Sequence, residues 1–233
     1  MSLLVALLLL AAPEDLLGRL GSEDASVVIE ACREAATSAE PALTAPLIKL
    51  LKSDNPAVRT AAVEALALRK PPEEKKKAAQ ALAQRVGPLA AGEETKEECV
   101  LVANALHDLA QPVALKALLD GIGPDDDRDV AKARMRAAAN IPSKDAIEEL
   151  IHLGSAGRRG GAQWRVAAVI EALRYATQER VEGGIEAWRQ WWTENRKTFD
   201  VDIAANKRAD ARLREEERRA RKGKKGARGE KGG

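Results

Sequence analysis

With 233 residues, 45% of them hydrophobic and 32% charged, the chain has ample apolar material for a buried core and is not a disordered polymer. Only 3% of residues are aromatic, and the apolar remainder is dominated by Ala, Leu and Val, which argues against aromatic-rich strands and for helices packed at short distance. The formal net charge of +2 divides unevenly: residues 206–233 hold twelve Lys and Arg against five Asp and Glu, leaving 26 basic and 31 acidic side chains in a mildly acidic body.

The first segment, Leu3 to Ala12, is an uninterrupted apolar run of ten residues, the length of a signal-peptide core and too short to span a bilayer as a helix. Pro13 follows the small pair Ala11-Ala12, but no Lys or Arg precedes the run and Leu10 stands where a small residue would help cleavage. Residues 1–12 are expected to be a signal peptide, with a hydrophobic first helix as the alternative. The protein is then exported, periplasmic or extracellular, in the first case and cytoplasmic in the second. No other segment approaches a membrane span.

From residue 13 to 181 one pattern recurs: an amphipathic segment, a turn rich in Asp, Asn, Gly or Pro, and a second segment dominated by Ala and Val. It appears first in "EDLLGRLGSEDASVVIEACREAAT" and most clearly in "APLIKLLKSDNPAVRTAAVEALAL". In the latter, Leu47, Leu50 and Leu51 form one stripe, "SDNP" supplies an N-cap with Pro56 at the first helical position, and Val58, Ala61, Ala62, Ala65 and Leu66 form the next stripe. A third pair, "EEKKKAAQALAQRV" and "KEECVLVANALHDLA", is followed by "VALKALLDGIGPDDDRDVAKARMRAAAN" and "SKDAIEELIHLGSAGRRGGAQWRVAAVIEALRYAT". The second helices are expected to begin near residues 25, 56, 96, 128 and 163, a repeat of roughly thirty to forty residues. No single hairpin covers its own apolar faces, so neighbours must bury one another along a line.

Along these hairpins no catalytic constellation is visible. Cys32 and Cys99 sit on apolar helical patterns without metal-ligand spacing and read as small buried hydrophobes. His107 and His152 lie on separate units, lack the HExxH arrangement and read as partly buried structural residues. The run Asp125, Asp126, Asp127 and Asp129 lacks the alternate spacing, internal Gly and terminal Glu of a calcium loop and suits a helix N-terminus. "GSAGRRGGAQ" places Arg158 and Arg159 before a helix start, where backbone N–H groups hold anions, but it has no Gly-Lys-Ser/Thr ending and reads as an inter-helix loop. No cofactor, metal or small-molecule substrate is inferred.

After "EGG" at residues 182–184, "EAWRQWWTENRKTF" carries Trp188, Trp191 and Trp192 at i, i+3 and i+4, with Phe199 further along the same face. A linear array needs an atypical element over its last apolar face, so residues 182–205 are expected to be a structural cap. An exposed aromatic platform for a glycan or peptide is the alternative. Residues 206–233 read as a basic tail, helical from about Ala209 to Arg221 and disordered over the last dozen residues with their five glycines. The tail is solubilising or makes a weak, salt-sensitive contact with a polyanion such as nucleic acid, anionic lipid or cell-wall polymer.

"DNPAVRTAAVEAL" resembles the HEAT-repeat family, whose second helix begins with Asp or Asn, Pro and Val-Arg and continues through small residues to Ala-Leu. "QWRVAAVIEAL" is similar, with Trp164 replacing Val and Arg165 in the place of Arg59, whereas the first, third and fourth units lack the pair or carry it in degenerate form. The Trp segment is similar to the "W-x-x-W-W-x-x-N" ending of exported bacterial arrays of this kind. The resemblance implies an all-α, right-handed α-solenoid of about five hairpins, closed by a capping helix and trailed by a basic tail. It implies a non-catalytic scaffold whose concave surface, lined by second helices, receives a protein partner. Arg59, Arg165, Arg158 and Arg159 are the candidate binding residues. A HEAT-like enzyme subunit such as a lyase is the further alternative.

Overall fold

A computed structural model describes residues 13–90, 95–123, 125–156 and 163–214, and no strand occurs among them. The expected leader and the glycine-rich end of the tail lie outside the described residues, as do residues 157–162 of the expected inter-helix loop. Eleven helices follow in order: α1 (Pro13–Leu20), α2 (Ala25–Thr37), α3 (Thr44–Leu50), α4 (Pro56–Ala67), α5 (Pro72–Ala90), α6 (Lys96–Leu109), α7 (Leu115–Leu119), α8 (Arg128–Asn140), α9 (Lys144–Ala156), α10 (Gln163–Thr177) and α11 (Gly184–Asn195). A twelfth, α12, occupies 201–214. The second helices start where the periodicity places them, at Ala25, Pro56, Lys96, Arg128 and Gln163.

Those starts are set by local chemistry. Asp24 accepts from Ser26 N, Asn55 from Ala57 N, Thr95 from Glu98 N, and Asp127 from Asp129 N and Val130 N, each satisfying N–H groups that a helix start leaves unpaired. Asn55 also precedes Pro56, whose fixed φ suits the first helical position. Asn55→Ala is expected to cost about 1 kcal/mol in urea unfolding, because the Ala57 amide loses its 2.9 Å acceptor, while Asn55→Asp leaves stability within a few tenths.

The chain divides into two compact units, Met1–Ala117 and Leu118–Gly233, with the division inside α7. In the first unit, α2 packs on α4 and α4 on α6, while α1 touches α3 and α3 touches α5. First and second helices thus form two parallel rows, the plan of an α-solenoid. The close approach of α2 to α4 suits their small buried residues, Ala31, Cys32 and Ala35 on α2 and Ala61, Ala62 and Ala65 on α4. Burial pushes the Cys32 thiol up to about 11, so it stays protonated and inert near neutrality.

The second unit repeats the plan. Helix α8 packs on α10, and α9 packs on both. Helix α11 then lies on α9 and α10, in the place a sixth first helix would take. Helix α12 follows from an Asp200 N-cap that accepts from Asp202 N and Ile203 N, and it docks through buried Ala204 and Arg208. The described helix therefore begins at 201 and is held down at Arg208, whereas the composition placed a solvated tail from residue 206 onward. Charge density marks the segment as exposed, but one turn of α12 faces inward.

Candidate functional site

The arginines singled out by the repeat pattern are engaged inside the protein. Arg59 is bidentate to Glu98, with Nε to Oε1 at 2.7 Å and Nη2 to Oε2 at 3.0 Å, and its Nη1 donates to the Ser53 carbonyl in the turn before its own helix. The Glu98 carboxylate raises the Arg59 pKa above its ordinary value. Arg165 is buried, and its Nη1 donates to the Ile122 carbonyl at 3.0 Å. The Val-Arg position thus ties adjacent hairpins, Arg59 through the Glu98 carboxylate of α6 and Arg165 through the Ile122 carbonyl, and neither side chain is a loose group on a surface. Arg158 and Arg159 lie outside the described residues.

Three further guanidinium groups, which the sequence pattern gives no reason to select, do similar work. Arg69 is 1% exposed and donates to the carbonyls of Ala35, Ser38 and Glu40, where α2 ends. Arg134 donates to Leu118 O and Asp120 O, where α7 ends. Arg208 donates to Ala176 O and Asn140 O, at the ends of α10 and α8. A helix C-terminus leaves carbonyls unpaired at the negative end of its dipole, and a guanidinium with five donors satisfies several at once. Burial pulls the pKa of Arg69 and Arg208 down from the usual range.

The indole cluster closes the second unit. Trp188 is 0% exposed and Trp192 is buried, while Trp191 and Phe199 are half-buried. Trp188 meets Trp191 edge-on at 5.5 Å, and Phe199 meets Trp191 and Trp192 edge-on at 5.8 and 5.6 Å. Trp192 Nε1 donates to Glu148 on α9 at 3.2 Å. Gly154 makes room for this helix: a Cβ there would meet Ile185 Cδ1 at 2.7 Å.

Clefts among the described residues include the following pair. One of about 590 Å3 lies beside Pro41, Ile48, Lys77 and Gln84 in the first unit, and one of about 350 Å3 lies beside Trp191, Phe199, Glu179 and Lys207 in the second. His107 is half-buried with Nδ1 3.1 Å from Asp108 Oδ1, whereas His152 is exposed, contrary to its expected partial burial, because it falls on the outer face of α9. No group of three His, Cys, Asp or Glu is placed to hold a metal among the described residues. In the aspartate run, Asp126 accepts from Gly123 N and Asp127 caps α8, which accounts for two of the four carboxylates.

A basic surface built on secondary structure faces outward from α8 and α10. Arg128, Lys132 and Arg136 are exposed at i, i+4 and i+8 on α8. Arg128 lies over Trp164 at 5.9 Å and Arg136 over Tyr175 at 5.9 Å, with Arg208 at 5.6 Å from the same Tyr ring. The four-residue spacing of Arg128, Lys132 and Arg136 stands in the sequence directly after the four aspartates, whose charge masks it in composition.

Residues 13–90 match the family model described as HEAT repeats. No curated protein matches the chain. Among solved structures, the crystal structure of an engineered protein is similar at 20% identity, covering 84% of this chain and 94% of that one with a TM-score of 0.45. The two-helix units and the rows of first and second helices agree with HEAT repeats over the matched residues 13–90.

Proposed function

We propose that the protein is a non-catalytic binding scaffold that presents the outward sides of its second helices to a protein partner. The observation that carries this reading is the division of labour within those helices. In α4, Val58, Ala61, Ala62 and Ala65 are buried against neighbours, while Glu64 faces solvent; in α6, Val102, Ala103 and Leu106 are buried, while Asn104 and Asp108 face solvent. The buried side fixes the row, so the exposed side forms a pre-ordered surface that loses little conformational entropy on binding. HEAT repeats mediate such scaffolding in general, and the fold alone names no partner.

The test is a map of partner cross-links. A photoreactive residue at Glu64 or Asn104 on second helices is expected to capture a specific protein, competed by untagged chain, while one at Gln80 or Glu149 on first helices captures none. Capture confined to first helices contradicts the reading. Loss of the captured protein on neutralising Lys224 and Lys225 moves the binding role to the basic tail.

A further inference from the structure

The exposed stripe on α8 is too regular, and too well supported by rings, to be only a solvated face. Arg128, Lys132 and Arg136 follow one another along one side of the helix, so consecutive cations stand about 6 Å apart and the stripe is about 12 Å long. The outer two are steadied by Trp164 and Tyr175 from α10. A guanidinium lying over a ring keeps its N–H edge available, so such a pair holds a cation in position without neutralising it. Arg128, Lys132 and Arg136 on α8 and Arg174 on α10 are exposed cations, and Asp129 and Glu171 are the acidic side chains exposed on the same two helices. Exposed cations on proteins are commonly matched by neighbouring carboxylates; here the α8–α10 face carries a local excess of positive charge on a body that is otherwise net acidic.

We propose that this face is the docking site for an extended acidic segment of a protein partner, a proposal that rests on the scaffold reading above and specifies its chemistry. The spacing selects the occupant. In an extended strand, alternate side chains on one face lie about 6.6 Å apart, close to the cation spacing, so three carboxylates at i, i+2 and i+4 meet the three cations in turn. The ends of the stripe set its length. Asp125, Asp127 and Asp129 stand at the N-terminal end of α8, so a polyanion that continued past Arg128 would run into carboxylates. A nucleic acid carries a charge at every step and extends in both directions, whereas an acidic peptide can end its charge run after three residues. The half-buried rings of Trp164 and Tyr175 add apolar contact for the aliphatic parts of the segment.

The experiment uses the full chain and a fluorescent, N-acetylated octapeptide alternating Glu and Gly, read by anisotropy at low ionic strength, beside an octathymidylate of matched dye. Saturable peptide binding is expected, weakened at least tenfold by Lys132→Glu with Arg136→Glu, weakened by raised salt, and unchanged by Lys224→Gln with Lys225→Gln. Both target residues are exposed, and Lys132→Ala with Arg136→Ala serves as the milder pair, with a smaller loss in the same direction. Absence of peptide binding overturns the proposal, as does binding insensitive to both stripe variants, binding lost in the tail variant, or octathymidylate bound as tightly as the peptide. A partner cross-linked at Glu64 or Asn104 together with no peptide binding removes the α8–α10 assignment and leaves the scaffold reading standing.

Discussion

Trp188→Ala is expected to destabilise the second unit by about 3–5 kcal/mol and to lower its thermal midpoint by roughly 10–20 °C in calorimetry. The ring is 0% exposed and sits where α11 meets α9 and α10, so its removal leaves a cavity that helices fixed at both ends cannot close. Trp188→Phe should cost well under half as much. The indole N–H has no hydrogen-bond partner among the described residues, so the replacement forfeits volume without orphaning a bond. Gly154→Val is expected to act on the same contact from the other side, since even a Cβ at that position lies 2.7 Å from Ile185 Cδ1 and 3.0 Å from Val169 Cγ1. A change of less than 1 kcal/mol for Trp188→Ala would mean that α11 is not seated there.

Arg69→Ala should cost about 3 kcal/mol, measured as a shifted urea midpoint at constant m-value. The substitution leaves the carbonyls of Ala35, Ser38 and Glu40 without their donor at the end of α2, around a side chain that is itself buried. Arg69→Lys should recover little of the loss, because an ammonium is a point donor and cannot span three carbonyls set by a planar fork. Burial already lowers the Arg69 pKa, a sign that the charge is held at a desolvation cost which the carbonyl bonds offset. Unchanged stability in Arg69→Ala would show that water replaces the guanidinium freely.

The repeat plan was legible because each boundary has a local cause. Asp24, Asn55 and Asp127 have side chains that cap a helix wherever the chain turns, and Pro56 fits only near a helix start. The alanines of α2 and α4 likewise announce a close contact without naming its partner. The roles of the arginines were not legible, and the reason is physical. Arg69, Arg134 and Arg208 carry the same charge as solvated residues, and what buries them is a cluster of carbonyls that exists only once helix ends converge. Arg208 was the least visible, since it sits among the densest charges of the chain while docking against Tyr175. Arg59 and Arg165 were noticed through their repeat position, yet Glu98, 39 residues away, determines the environment of the first. Trp188, Trp191 and Trp192 could be placed on one face by spacing alone. Which of them reaches the interior depends on the position of α9, and Glu148 on that helix receives the Trp192 N–H.

Side chains that resemble binding equipment, the indoles and most arginines, are used here to hold helices together, and the α8–α10 stripe is the exception. Acrylamide quenching of tryptophan fluorescence in a Trp164→Phe variant tests this most directly, because only the three indoles of α11 then emit. The account predicts weak quenching in the folded protein, rising several-fold in urea as Trp188 and Trp192 become accessible. Quenching in the folded protein equal to that of free tryptophan would place the rings in water and contradict it.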